Sequence, residues 1–262
     1  MISQYLSDKI KLLSFISIIL VLYIHCAYHN LDNETLSKSY FIYVQQFISD
    51  MIGRCAVPMF FCISGFLFFK NTECGIRTVY KKMHKRTRTL LLPFIFAIIY
   101  FLIAYVLVCG RPHSPEYLIY EYSLSRHTYI QNVFALIYDS GTGYPIPFHL
   151  WFMRDLIIIV ILSPILYHAR NHINKYLLLG ILFIISTYYK NTPFLPYSVF
   201  WFFLGSYFLD IKISWKYFWC FPASFISLCI AEMAFPSELW NYFKIPIVII
   251  GLISLWKLYD IQ

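Results

Sequence analysis

DKIKLLSFISIILVLYIHCAYHN, residues 8–30, decides the fold. From Ile10 to Tyr28 almost nothing welcomes water, so the stretch reads as a membrane span. It carries a lysine near its start and one histidine, His25, near its far end. At 1.5 Å per residue His25 lies roughly 22 Å beyond the inner end, nearer the outer side. A buried imidazole in such a helix costs free energy unless it meets a partner or a water-filled cavity, which makes His25 the first functional candidate. The alternative is a histidine bonded to a neighbouring helix as packing glue.

Across all 262 residues, 60% are hydrophobic, 13% charged and 21% aromatic, a balance outside that of ordinary soluble domains. Apolar runs of helix length fall near 10–28, 51–69, 89–109, 151–168, 174–189, 195–209, 216–233 and 243–258. The expected fold is all-α: a polytopic integral membrane helical bundle of about eight transmembrane helices, with residues 1–262 forming a single domain. The first span is too long for a signal peptide, lacks a small-residue cleavage site and is followed by further spans, so it reads as retained. With the N-terminus inside, 14 of the 21 Lys and Arg residues fall on the cytoplasmic side, which predicts both termini there. The net charge of +8 follows from this topology, and no nucleic-acid partner is expected.

The seven cysteines, Cys26, Cys55, Cys62, Cys74, Cys109, Cys220 and Cys229, form no CxxC pair and mostly sit inside apolar runs, as small core residues do. His25 and His29 have metal-ligand spacing on one helix face, but no third ligand stands on a matching element, so no metal is expected.

Four further features carry chemistry. Span 2, MIGRCAVPMFFCISGFLFF (51–69), places Arg54 inside its outer end, Pro58 in its middle and Gly65 near its inner end. Arg54 cannot lose its proton and must face a polar partner, a cavity or the interface. The basic cytoplasmic loop 70–88, KNTECGIRTVYKKMHKRTR, holds seven basic residues against one acid. It reads as an anchor on anionic lipid and a topology signal, or as an anion site in which Arg86 and Arg88 grip a phosphate. The long outer loop 110–150 ends in FHLWFMRD, with His149, Trp151, Arg154 and Asp155 at the start of span 4. Arg154 and Asp155 point about 100° apart on a helix and are expected to find different partners. Glu232, the late acid at membrane depth, reads equally as interfacial or catalytic.

Together KLLSFISIILVLYIHCAYHN (11–30), GRCAVPMFFCISGFLFF (53–69), KKMHKRTRTLLLPF (81–94) and FHLWFMRDLIIIVILSP (148–164) resemble, in order and spacing, the membrane-bound acyltransferase 3 family, which O-acylates carbohydrates and other envelope molecules. The resemblance implies that His25 is catalytic and that Arg86 and Arg88 handle acyl-CoA. It also implies a bacterial inner membrane, an acetyl-CoA or other acyl-CoA donor, and a carbohydrate or other hydroxyl acceptor. Many members carry arginine eleven residues before the histidine. That position is Ser14 here, with Lys11 one turn earlier on nearly the same face. The family core commonly has ten spans.

On this reading His25 acts as general base on the acceptor hydroxyl, or carries the acyl group itself. Arg54 or Arg154 stabilises the oxyanion, and Asp155 orients an imidazole. A transporter or flippase for a glycan or small solute is the competing class, since intramembrane His and Arg also mark transport pathways. It predicts repeats in both halves, and the second half shows no counterpart to span 1 or 2.

Overall fold

The computed structural model describes residues 4–26, 44–70, 75–109, 137–138, 145, 147, 150–188, 195–208, 219–235 and 240–258. Regular structure among them is helical throughout: α1 (Gln4–Cys26), α2 (Ala56–Phe69), α3 (Ile76–Cys109), α4 (Trp151–Ile161), α5 (Ser163–His172), α6 (Lys175–Tyr188), α7 (Leu195–Phe208), α8 (Cys220–Ala234) and α9 (Trp240–Leu258). Among the described residues one helix, Val44–Phe69, is long and apolar enough to cross a membrane by itself, and α4 with α5 would make a second. The 14-residue helices α6 and α7 rise only about 21 Å, against a hydrocarbon core of about 30 Å.

Proline explains where the helices depart from the apolar runs. Pro58 offers no N–H to the carbonyl four residues back, at Arg54. Immediately upstream the backbone leaves the α pattern, as a π-helical turn (Phe47–Ile52) and then a 3₁₀ turn (Gly53–Cys55). Span 4 breaks at Leu162 with a bend of 64°, just ahead of Pro164. The basic stretch expected as a loop is helical from Ile76 onward and continuous with the apolar run after it, despite Pro93. No acid or glycine interrupts it.

The chain forms two compact units, Met1–Leu67 with Trp201–Gln262, and Phe68–Phe200. In the first unit, α1 packs on the π and 3₁₀ turns, and α8 packs on α9. Trp201, Phe202 and Phe203 of α7 are buried, as are Met59 and Phe61 of α2. Two glycines bring α2 and α7 into backbone contact: a Cβ at Gly65 would land on the carbonyl of Phe202, and one at Gly205 on the backbone of Cys62. The Cys62 thiol donates to the Trp201 carbonyl at 3.2 Å across the same crossing. Such small-residue crossings let helices associate where lipid supplies no hydrophobic drive. In the second unit α3 packs on α4 and α5, around Phe94, Leu150 and Ile157.

Gly65→Ala should therefore destabilise the protein by about 1–3 kcal/mol, as overpacking does. Gly180→Ala, in a helix position with nothing within 4 Å, should be silent or slightly stabilising. Thermal unfolding of both variants in detergent checks this; equal effects would remove the close crossing.

Candidate functional site

The first unit holds His25, Lys11, Ser14 and Arg54. α1 buries Lys9, Ile10, Leu13 and Ser17 and turns Lys11, Ser14 and His25 to another face, on which His25 is exposed and Ser14 half-buried. The Lys11 ammonium pairs with Asp8 at 3.1 Å. Hydrogen bonds from Lys11, and then from Gln4, hold the Asp8 carboxyl below its usual range. The charge of Lys11 is thus shared within its own helix. A Cβ on Gly53 would come within 2.7 Å of the Ile24 side chain, so the residue before His25 rests on the turn that carries Arg54. The π-helical turn Phe47–Ile52 lies just upstream of it, and such turns recur at functional sites.

Arg54 finds its partner in Glu232 of α8. One guanidinium nitrogen, Nη1, donates to both carboxylate oxygens at 2.9 and 2.8 Å. Glu232 is therefore an ion-pair partner, in a position the sequence left open between interface and catalysis. Its separation from Arg54 by 178 residues hides the pair from any local pattern. Arg54 keeps 26% of its side chain exposed, enough to present further N–H donors to a ligand. Near it, Ser49 Oγ donates to Asp50 at 3.0 Å.

The second unit corrects the expectation that Arg154 and Asp155 turn to different partners. They bind each other: Arg154 Nε and Nη2 donate to Asp155 Oδ1 at 3.0 and 2.8 Å. The long arginine stem bends back over the 100° between the two positions. Ser198 Oγ, from α7, donates to Asp155 Oδ2 at 2.6 Å. The Arg154 guanidinium also lies 6.0 Å from the Tyr138 ring, and its Nη1 donates to the Ile137 carbonyl at 3.4 Å. Both charges are at most 5% exposed, so the cluster ties α4, α7 and the Ile137–Tyr138 segment together. Trp151 opens α4 and is half-buried, and His149 lies outside the described residues.

The basic run divides by helix face. Arg86 and Arg88 are two residues apart in one helix and project about 160° apart, so they do not converge on one phosphate. Arg86 points inward: its guanidinium stands 5.8 Å from the Phe68 ring, and burial pushes it below its ordinary pKa while leaving it charged at neutral pH. Arg170, of α5, lies 5.2 Å from the Phe69 ring. Lys82 Nζ donates to the Phe68 carbonyl at 2.8 Å and to that of Lys70. Three cations thus gather at the C-terminal end of α2, where carbonyls and the helix dipole favour positive charge. Beside them the buried rings of Phe68 and Phe69 meet edge to face, with centroids 5.4 Å apart. Arg88 stands on the opposite, exposed face.

Among the described residues, no three His, Cys, Asp or Glu side chains gather to hold a metal ion. A cavity lined by Met59, Cys62, Phe66 and Trp256 has a volume of about 10 Å³, room for a water and too little for an acyl chain.

The chain belongs to the acyltransferase 3 family: the family's model, described as an acyltransferase domain, matches residues 8–260. The succinoglycan biosynthesis protein ExoH of Rhizobium meliloti (strain 1021) is 24% identical over 198 residues, covering 74% of this chain and 51% of that protein. The chain spans about half the length of the curated relative it matches. No solved structure matches it significantly.

Asp155→Asn should cost about 3–5 kcal/mol, because it leaves the Arg154 charge buried without its counterion. Ser198→Ala removes one hydrogen bond to a charged group and should cost about 1–3 kcal/mol. Unfolding in detergent ranks the two; a larger loss from Ser198→Ala would contradict the ion pair as the main contribution.

Proposed function

We propose that this protein is a multi-span O-acyltransferase of the bacterial inner membrane, with about eight spans and both termini cytoplasmic. It moves an acyl group, acetyl in the simplest case, from cytoplasmic acyl-CoA to a hydroxyl of a cell-envelope or exopolysaccharide carbohydrate. Family membership across residues 8–260 carries this reading, and a relative named for the biosynthesis of a polysaccharide supports the acceptor class.

The donor's phosphates meet Arg86, with Arg170 as a second guanidinium and Lys82 adding charge. Guanidinium and phosphate pair through charge-assisted, bidentate bonds. Neutral His25 takes the proton of the acceptor hydroxyl as its oxygen attacks the thioester carbonyl. The carbon–sulfur bond then breaks, and the CoA thiolate leaves and is protonated. Such proton transfer contributes about 10²–10⁴-fold. The exposed face of α1 lets an acceptor reach the imidazole, with Ser14 and Lys11 along its approach. Arg54, held by Glu232 through one nitrogen, offers its remaining donors to the oxyanion. His149 and Trp151 contribute to acceptor binding. Arg154 and Asp155 act by holding that end of α4 in place.

His25→Ala should lower acyl transfer from radiolabelled acetyl-CoA to an envelope polysaccharide fraction by at least about 10²-fold, with donor affinity unchanged. Transfer at the wild-type rate would refute the role of His25. Glu232→Gln should lower kcat and kcat/KM together while KM for acetyl-CoA stays put, the mark of an interaction made in the transition state. A rise in KM alone would place Arg54 on the donor.

A further inference from the structure

α3 is one continuous helix of 34 residues, and its two faces carry different chemistry. Val79 and Phe94 are buried on the inward face. Lys82 and Arg86 share that face with them and are engaged with Phe68 and Lys70. Arg77, Lys81, His84, Lys85 and Arg88 follow at spacings of three, four or one along the outward face, and all five are exposed. Among the described residues none of the five has an acidic partner, and α3 itself contains no Asp or Glu. Four of them, with Tyr80 and Thr89, line a shallow groove.

The same face continues beyond Arg88 as Leu92, Ile95, Phe96, Ile99 and Ile103, all exposed, with Phe96 at 63%. At 100° per residue these positions fall within about 60° of Lys81 around the helix axis. A single stripe therefore runs from cations, over roughly 17 Å from Arg77 to Arg88, straight into apolar side chains. A molecule that matches this order has an anionic head and a long apolar tail. Acetyl-CoA lacks the long apolar tail, and neutral lipids lack the charge.

We propose that the outward face of α3 is a docking site for an anionic phospholipid, its phosphate on Lys81, Lys85, Arg77 and Arg88 and its acyl chains along Leu92, Ile95, Phe96, Ile99 and Ile103. This assigns Arg88 to lipid and leaves Arg86, on the inward face, to the donor. It rests on the membrane setting of the proposed function and not on acyl transfer. Near an anionic surface each lysine or arginine strengthens attraction roughly fivefold, and salt screens it.

The test titrates the full chain, in a neutral detergent at low salt, with phosphatidylglycerol carrying a fluorescent tail and with phosphatidylcholine of identical chains. The wild type should bind phosphatidylglycerol more tightly by about tenfold or more, and the preference should fall away at high salt. Lys81→Gln/Lys85→Gln should lose roughly fivefold per cation removed, while Lys175→Gln, an exposed lysine on α6, should keep the preference. Three outcomes would overturn the proposal: equal binding of the two lipids by wild type, an unchanged preference in the double variant, or an equal loss in Lys175→Gln. The wild-type lipid and salt comparison stands without either variant, and acetyl-CoA binding plays no part in the readout.

Discussion

A charge carried on an apolar helix has to be met where it stands, because lipid cannot solvate it. The protein meets this demand in several ways. Arg54 pairs with Glu232, and Arg154 closes on Asp155 under the hydroxyl of Ser198. Lys9, 2% exposed, sets its ammonium 4.5 Å from the ring of Trp256, a cation–π contact strengthened by burial. Lys82 caps the last carbonyls of α2. Arg54 with Glu232, Asp155 with Ser198 and Lys9 with Trp256 join segments far apart in the chain, so these charges also fix their neighbours. Removing one partner leaves the other charge stranded, and this asymmetry makes the pairs sensitive to single substitutions.

Backbone chemistry fixes the second set of constraints. Gly65 and Gly205 allow α2 and α7 to touch main chain to main chain. The 3₁₀ turn lies where Pro58 withholds an N–H from the Arg54 carbonyl, and it carries Arg54 past the residue that precedes His25. The turn thus positions the charge.

Much of the helical order was legible, because long apolar runs admit few other structures. Residues 174–189, 195–209 and 243–258 read as spans and fold as α6, α7 and α9. The bend at Leu162 was missed although Pro164 marked it, since length and hydropathy do not register a kink. The helical start of α3 was missed because charge density reads as loop, whereas Arg and Lys have good helix propensity and the segment contains no breaker before Pro93. At the candidate site, Arg54 announced its need for a partner, but a partner 178 residues away cannot be found by spacing. Arg170 and Ser198 gave no local signal at all; packing alone brings them to Phe69 and Asp155. Arg86 and Arg88 looked like one site because they are close in sequence, while helical period separates them.

On the proposed function, inward cations of the basic helix hold the acyl-CoA donor. Calorimetric titration of acetyl-CoA into the detergent-purified chain at low salt tests it most directly, with Arg86→Ala and Arg170→Ala measured beside the wild type. The expected result is saturable binding by wild type, weakened at least about tenfold by either substitution, in line with loss of a charge-assisted bond worth about 1.5–3 kcal/mol. A well-folded wild-type protein that binds no acetyl-CoA, or binds it equally well without Arg86, would refute a donor site at these cations.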